Sequence, residues 1–233
     1  MHTFHCPELK SGKNFLSEDE SHHCARVLRL KEGNEVRLID GGGTVARVKL
    51  TEVGSKKVHF SIIDEQSFPP PKKELIVAIA PTKSIDRFEF FIEKAVELGV
   101  NRIIPILCER SERKNLRHDR MLKNVLSATK QSMRAYLPQI DQLTPFKDLK
   151  GIFQSKEIYI AHCEKAEKAS ISNISLNDAL VMIGPEGDFS KAEIDCATEW
   201  GAKGLDLGIN RLRTETAGIF VVAAASLQYN LAH

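Results

Sequence analysis

The sequence predicts an α/β domain with a largely parallel sheet, preceded by a small β-barrel. From residue 74 onward, short apolar runs alternate with helical patterns, which is typical of a parallel sheet covered by helices. Before that point the chain has one short helical pattern and several closely spaced β-rich runs. Between the two parts lies "QSFPPPKKE", residues 66–74, whose three prolines favour a stiff, extended spacer. We therefore expect domains at residues 1–70 and 74–233.

The N-terminal domain opens with a predicted helix over residues 17–30. Ser17 and Glu20 form a capping-box pattern at its start, and Gly33 is its expected stop. The β-rich runs "NEVRLID", "TVARVKLTEV" and "KKVHFSII" follow as predicted strands. The glycines at 41–43 favour a hairpin, because no helical pattern follows them, and Gly54-Ser55 favours a second turn.

The C-terminal domain opens with the buried strand "ELIVAIAP". An amphipathic helix follows, with Ser84 as its N-cap and Gly99 as its stop. The remaining elements are, in order, the strand "RIIPIL", a basic helix around 117–132, the strands "EIYIAH" and "ALVMIG", a helix from Ser190, the strand "GLDLG" and an apolar helix over about 215–230.

Composition narrows the class of protein. Hydrophobic residues make up 42% of the 233 and charged residues 27%, as in ordinary globular proteins with a packed core. No apolar run approaches the ~20 residues of a membrane span, and the N-terminus lacks the apolar segment of a signal peptide, so we expect a cytoplasmic protein. The formal net charge of +2 is too small to mark the whole chain as a polyanion binder.

The cysteines and histidines do not predict a metal site. Five scattered cysteines form no C-x-x-C pair, which favours reduced, mostly structural thiols. His22, His23 and Cys24 are consecutive, and consecutive residues on a helix point in different directions. We therefore expect no metal.

Two strand-to-helix turns are the strongest candidates for a ligand site. In parallel sheets, ligands bind beyond the carboxyl ends of the strands. The first turn is "IGPEGDFS", residues 183–190, in which glycines allow close backbone approach, Pro185 stiffens the turn and Glu186 is polar. The second, "GINRLRTETAG" at 208–218, places polar groups at the mouth of an apolar helix. Alternatively, both are ordinary turns whose Ser, Thr and Glu only cap helices.

Several common site classes lack their motifs. The chain has no G-x-x-x-x-G-K-[ST] loop and no G-x-G-x-x-G after the first strand of the C-terminal domain, which disfavours P-loop hydrolases and ordinary dinucleotide folds. It also has no G-x-S-x-G nucleophile elbow.

"IGPEGDFS" followed by "LGINRLRTETA" resembles the signature of the SPOUT-class methyltransferases, specifically the RsmE family, which methylates N3 of a uridine in 16S ribosomal RNA. "RFEFFIEKAVELGV" resembles the first catalytic-domain helix of that family, and "KQSMR" at 130–134 its E-Q-S-x-R motif. The resemblance covers the whole chain. It implies a PUA-like N-terminal barrel, a SPOUT-type α/β domain with a C-terminal trefoil knot, bound S-adenosylmethionine and a homodimer.

The resemblance also implies the cofactor residues. Ile183 to Gly187 would form one wall, Leu207 and Gly208 the floor, and the stretch from Leu212 to Ala217 the other wall, with Leu107 beside the adenine. Carried over one by one, these are Leu107, Ile183, Gly184, Pro185, Glu186, Gly187, Leu207, Gly208, Leu212, Arg213, Thr214, Thr216 and Ala217.

Three positions depart from the family pattern. Asp188 replaces a glycine, which predicts a tighter or less mobile turn. Ile209-Asn210 replaces a common Pro-Arg and removes a charge that could face RNA, and Lys130 replaces a glutamate.

Methylation of uridine N3 requires loss of the N3 proton, so a base, or a cation that stabilises the resulting anion, is needed. We assign the cation role to Arg213 or Arg110 and a weaker acid/base role to Glu215. In the alternative, Glu215 caps the last helix and Arg213 only pairs with it.

RNA contact is predicted from local charge. Residues 110–134 hold eight Lys or Arg against two acids, although such runs are usually solvated helix faces. The candidate RNA-binding residues are Arg113, Lys114, Arg117, Lys130 and Arg134, with Arg26 and Arg29 in the N-terminal domain. Together with this local charge, the family resemblance implies 16S rRNA or the small ribosomal subunit as the partner.

Two other functions remain open. One is a knotted methyltransferase that acts on transfer RNA or on ribose hydroxyls; the other is a non-catalytic RNA-binding or ribosome-assembly protein.

Overall fold

The computed structural model describes residues 1–152 and 157–231, with side chains as far as residue 229. The chain forms two compact units. The first comprises Met1–Pro71 and Leu126–Leu137, and the second comprises Lys72–Val125 and the chain from Pro138 onward. The break at Pro71 lies within the proline-rich spacer.

The first unit contains a four-stranded sheet in the order β1-β2-β3-β4. Strand β1 is parallel to β2, and the other neighbours are antiparallel. Three of these strands correspond to predicted ones, whereas the short β1 was not predicted. The elements are β1 (Thr3–His5), α1 (Glu18–His22), β2 (Glu35–Ile39), β3 (Thr44–Val53) and β4 (Val58–Ser67).

Helix α1 starts where the sequence predicts and ends earlier. The Ser17 side chain accepts a hydrogen bond from Glu20 N, as expected for an N-cap. The helix continues as one π turn over His23–Val27, after which Arg29 takes a left-handed φ of 54°. Gly33 lies instead in the turn before β2, where its N–H donates to Leu50 O. The prediction that Gly33 stops this helix was therefore wrong.

The core of the first unit follows from alternation along β3. Thr44, Ala46, Val48 and Leu50 are buried, while residues between them are more exposed, which is the period of a sheet with one face covered. The buried residues pack with apolar side chains of the other strands and of the helix, among them Phe4, Cys24, Val36 and Leu38.

The second unit contains a parallel sheet in the order β10-β12-β9-β11-β5-β6-β7, with β8 also paired to β6. Every described pairing in it is parallel, which confirms the predicted α/β class. The elements are β5 (Leu75–Ile79), α2 (Ile85–Leu98), β6 (Arg102–Leu107), α3 (His118–Gln131), β7 (Gln139–Ile140), β8 (Thr144–Pro145), β9 (Glu157–Ala161), β10 (Ala169–Ser170), β11 (Ala179–Ile183), α4 (Lys191–Glu199), β12 (Lys203–Asp206) and α5 (Thr214–Leu231).

The carboxyl ends of four neighbouring strands lie together at one edge. Ile183, the last residue of β11, is in register with Ala161 of β9 and Ile79 of β5. Ala161 is in turn in register with Leu205 of β12. Strands β5 and β11 are buried along their whole length, which fixes this edge on a rigid core.

The end of α3 belongs to the first unit. Lys130 Nζ lies 2.8 Å from the buried carboxylate of Glu20. The segment that follows α3 adds backbone hydrogen bonds from Gly43 N to Ala135 O and from Leu137 N to Gly41 O. These contacts explain why residues 126–137 group with the N-terminal strands.

Candidate functional site

A cavity of ≈ 700 Å³ lies in the second unit at the carboxyl edge of the sheet. Ligands of parallel sheets bind beyond the carboxyl ends of the strands, and the cavity lies in this region. Its size is within the range of ligand pockets, about 300–1,000 Å³. The predicted site residues that line it are Ile183, Gly184, Pro185, Glu186, Leu207, Gly208, Leu212, Arg213, Thr214, Glu215 and Ala217.

The first turn is held by its neighbours on both sides. Glu186 Oε1 accepts a hydrogen bond from Lys83 N at 2.9 Å, which ties the turn to the loop after β5. A Cβ added to Gly184 would lie 3.0 Å from the Phe189 ring, so the backbone approaches this ring as only glycine allows. The turn ends in the predicted capping box of Ser190 and Glu193, which is confirmed.

Arg110 supports the first turn without being part of the cavity wall. Its Nη1 donates to Gly187 O at 3.1 Å and to Phe189 O at 3.2 Å. A Cβ on Gly187 would lie 3.3 Å from Arg110 Cβ, so this glycine permits the close approach of the arginine. Neither Arg110 nor Gly187 lines the cavity.

The second turn meets the first. Gly208 has a left-handed φ of 114° and donates its N–H to Asp206 Oδ1 at 3.1 Å. Thr214, the first residue of α5, donates its Oγ1 hydrogen to Gly184 O at 3.1 Å within the buried wall. The two turns that the sequence singled out therefore enclose one cavity.

Glu215 pairs with an arginine that the sequence analysis did not select. Its carboxylate is 10% exposed and lies 3.9 Å from Arg87 Nε. Arg213 is exposed on the loop before α5 and makes no ion pair with Glu215 in the described part of the chain. The part of the alternative in which Arg213 only pairs with Glu215 is therefore wrong.

Besides Gly187, two more predicted cofactor residues lie away from the cavity wall. Leu107 is half-buried at the end of β6, and Thr216 is exposed on α5; neither lines the cavity.

The end of β9 and the start of α2 supply wall residues that the sequence analysis missed. His162, Cys163 and Lys168 line the cavity, as does Arg87. The strand-end rule would have found the first two, because His162 ends the predicted strand "EIYIAH" and Cys163 directly follows it. Burial lowers the pKa of His162 and thereby favours the neutral form of its ring.

Asp188 shows how this chain tolerates the missing glycine of the first turn. Its φ is 64°, a left-handed value that aspartate adopts more readily than most residues. Its Oδ2 accepts a hydrogen bond from Cys163 N and its Oδ1 one from Phe189 N, both at 2.8 Å. The carboxylate thus ties the turn to the segment after β9, while reduced mobility of the turn stays a prediction.

The predicted RNA-binding residues in the second unit differ in how many contacts they make with other groups of the protein. Arg113 donates to Thr82 O at 3.0 Å and to Lys83 O, so it supports the loop that also contacts Glu186. Arg117 pairs with Asp119 at 2.9 Å. Lys114 is exposed, and no carboxylate pairs with it in the described ranges.

The candidates in the first unit fall into two groups. Arg26 and Arg29 share a surface depression with Lys31 and Ser55. Lys130 pairs with Glu20, and burial lowers the pKa of the half-buried Arg134. RNA contact by all seven residues stays a prediction.

Within residues 1–152 and 157–231, no group of three or more His, Cys, Asp or Glu side chains is arranged to hold a metal ion. All five cysteines are unpaired. No helix in these ranges combines the length and the apolar character that a membrane span requires.

Comparison with protein families gives two matches that together cover most of the chain. The model of the RNA methyltransferase domain matches residues 69–226. The model of the RNA methyltransferase PUA domain matches residues 16–63.

Several similar proteins carry the name ribosomal RNA small subunit methyltransferase E. The protein from Rickettsia conorii is 28% identical over 215 residues, which cover 91% of this chain and 88% of that protein. The protein from Mesomycoplasma hyopneumoniae is 33% identical over 184 residues, which cover 75% of this chain and 78% of that protein.

Solved structures share the fold over nearly the whole chain. A "probable rRNA-methyltransferase" from Porphyromonas gingivalis has a TM-score of 0.86 and 32% identity, covering 98% of this chain and 100% of that one. The ribosomal RNA small subunit methyltransferase E from Neisseria gonorrhoeae, solved bound to S-adenosyl methionine, has a TM-score of 0.84 and 27% identity, with 98% of each chain covered.

Proposed function

The chain belongs to the RNA methyltransferase family, and from this premise we propose that it transfers the methyl group of S-adenosylmethionine to N3 of a uridine in 16S rRNA of the small ribosomal subunit. The relatives that carry the name ribosomal RNA small subunit methyltransferase E support this substrate. The observation that carries the proposal is the contact of Thr214 Oγ1 with Gly184 O, which closes the two turns around one cavity.

The cavity fits the cofactor in chemistry as well as in size. Bound S-adenosylmethionine supplies an electrophilic methyl group on a positively charged sulfur. Gly184 and Gly208 present backbone at the wall, and a Cβ on Gly208 would project into open space rather than into protein. Ile183, Leu207 and Leu212 give apolar surface, and Glu186, Asp188 and Asp206 give negative charge. We assign cofactor contact to the predicted residues that line this wall.

The residues of the chain must also handle the N3 proton. We assign the acid/base role to Glu215, whose carboxylate is buried at the start of α5, and a cation role to Arg213 on the wall. Arg110 donates to two carbonyls of the first turn, so we assign it a positioning role in place of the catalytic role that the sequence suggested. Alignment of N3 with the methyl carbon accounts for much of the remaining rate enhancement, because good orientation of two reactants can lower the activation barrier by roughly 7–11 kcal/mol.

Further parts of the proposal concern the whole protein. We infer that the four-stranded sheet of the first unit closes into a PUA-like barrel that binds RNA, and that the chain around α5 forms a trefoil knot. We also infer a homodimer and, because the substrate is a ribosomal subunit, a cytoplasmic location. The PUA-domain match and the tie between Thr214 and Gly184 support the first two inferences.

The test is methyl transfer from labelled S-adenosylmethionine to small subunits from a strain that lacks the enzyme. Mass spectrometry should place one methyl group on N3 of a single uridine in 16S rRNA. If the methyl group is found on a ribose hydroxyl or on transfer RNA, the proposed substrate is wrong.

A calorimetric titration with S-adenosylmethionine separates an enzyme from a non-catalytic RNA binder. Saturable binding with a 1:1 ratio per chain is expected. Absence of binding by the folded protein would contradict the enzyme assignment.

A further inference from the structure

Arg87 is the cavity cation best placed to act on the substrate. It lies in the first turn of α2, and both Arg87 and Glu215 line the cavity. The Arg87 side chain is 47% exposed, whereas that of Glu215 is 10% exposed. The carboxylate is therefore enclosed by the wall, while the guanidinium remains accessible to a ligand.

The contact between these two groups is an open ion pair. The Nε–Oε1 distance is 3.9 Å, longer than the about 2.7–2.9 Å of a charge-assisted hydrogen bond. No hydrogen bond from the Arg87 guanidinium to another protein group exists in the described residues. Glu215 thus keeps the Arg87 guanidinium near the cavity and leaves the N–H donors of the guanidinium available for a ligand.

Helix packing fixes the relative position of the two side chains. Gly218 of α5 faces Phe91 of α2 so closely that a Cβ would lie 2.6 Å from the Phe91 ring. Glu215 and Arg87 each lie about one helical turn before these contact residues, on the same helix faces. The close approach of α2 and α5 therefore sets the distance from Arg87 to Glu215.

Other cations in or near the site are less suited to the task. Arg110 is engaged with two backbone carbonyls and lies outside the cavity. Lys168 Nζ donates to His162 O at 2.6 Å. Arg211 and Arg213 also line the cavity, but both are exposed on the irregular loop between β12 and α5 rather than on a helix.

We propose that Arg87, rather than Arg213, binds the O2 or O4 oxygen of the target uracil and stabilises the anion left when N3 loses its proton, with Glu215 as the residue that positions Arg87. Glu215, which carries the acid/base role, relays the N3 proton to solvent. The N3 lone pair then forms the bond to the methyl carbon as the methyl–sulfur bond breaks, and that electron pair stays on sulfur. This inference rests on the proposed function, since it assumes a uracil in the cavity.

The experiment compares Arg87→Ala and Arg87→Lys with wild type in single-turnover methyl transfer to small subunits, from neutral to alkaline pH. A hydrogen bond to a charged group is worth about 1.5–3 kcal/mol, so Arg87→Ala should be about 10- to 100-fold slower at neutral pH. Loss of the cation raises the pKa of N3, so the midpoint of the pH–rate profile should rise by about one to two pH units, and rate should be partly recovered in alkali. Arg87→Lys should show a smaller shift.

Lys94→Ala is the matched control. Lys94 lies on α2, pairs with Glu93 and Glu97 and does not line the cavity, so this variant should keep the wild-type midpoint. Calorimetry with S-adenosylmethionine should give wild-type affinity for Arg87→Ala, which also shows that the variant is folded. A slower Arg87→Ala with an unchanged midpoint would overturn the proposal.

If Arg87→Ala does not fold, the midpoint for Arg87→Lys decides, and an unshifted value overturns the proposal. Failure of the wild-type protein to methylate rRNA would instead refute the proposed function. Because the wild-type protein is measured first, the two failures can be told apart.

Discussion

Thr214 connects the two halves of the candidate site through one hydrogen bond. Its hydroxyl is buried and donates to Gly184 O, the carbonyl at the end of β11. A buried carbonyl without a partner costs free energy, so this contact does more than cap α5. It determines whether the second turn stays closed on the first.

Thr214→Val should therefore weaken both folding and cofactor binding. The change keeps the shape of the side chain and removes its donor, leaving Gly184 O unpaired at a cost of about 1–3 kcal/mol. Urea unfolding measures the stability, and calorimetry with S-adenosylmethionine measures the affinity, which should fall.

The control is Thr198→Val in α4, where the hydroxyl donates only to Ile194 O within the same helix. This variant should bind the cofactor as wild type does. Equal affinity for wild type and Thr214→Val would show that the two turns hold the cavity without this hydrogen bond.

The site could be predicted from sequence only where its residues sit together in the chain. The turns after β11 and β12 carry glycine, proline and charged residues in short stretches, and both line the cavity. Arg87 belongs to a different strand–helix connection, and nothing local marks it as a partner of Glu215. The packing of α2 against α5 brings Arg87 close to Glu215, and this packing cannot be read from the local sequence.

Among the elements, α2 and α5 depend on each other through Gly218. A Cβ at this position would lie 2.6 Å from the Phe91 ring and 2.8 Å from Ile79 Cδ1. These atoms belong to a fully buried core that cannot easily move aside. The helices approach this closely because residue 218 has no side chain.

Gly218→Ala should destabilise the protein despite the better helix propensity of alanine. Overpacking costs about 1–3 kcal/mol, while replacing glycine within a helix returns about 1 kcal/mol. The net loss should be up to about 2 kcal/mol in urea unfolding, and methyl transfer should slow because Arg87 and Glu215 separate.

Adding Phe91→Leu tests the cause. If the new methyl group clashes with the ring, the double variant should be more stable than the sum of the two single effects. Purely additive effects would mean that the strain lies elsewhere.

Elements with a clear period were predictable, and short or irregular ones were not. Helix α2 was expected between Ser84 and Gly99 and spans Ile85–Leu98, because five apolar positions share one face. The two-residue strands β7, β8 and β10 carry too few residues for any period. The end of α1 was misplaced because a π turn, not a glycine, terminates it.

For the whole molecule, the net charge of +2 offers little general attraction to RNA. Affinity must therefore come from local cations that are free to meet phosphates. Several candidates already have protein partners, and Lys130 is the clearest case, since its side chain is 17% exposed and pairs with Glu20. Lys114 is exposed and unpaired within the described ranges.

This difference predicts distinct effects on RNA binding. Each lysine that contacts a phosphate adds about one to the slope of log affinity against log salt concentration. Lys114→Gln should therefore lower the slope by about one without changing stability. Lys130→Gln leaves Glu20 buried without its partner, so it should lower the free energy of unfolding by roughly 3–5 kcal/mol at most and leave the slope unchanged.

Filter binding to a 16S rRNA fragment at several salt concentrations measures the slope, and urea unfolding measures stability. If Lys130→Gln lowers the slope as Lys114→Gln does, Lys130 reaches RNA, and its pairing with Glu20 gives way when RNA binds.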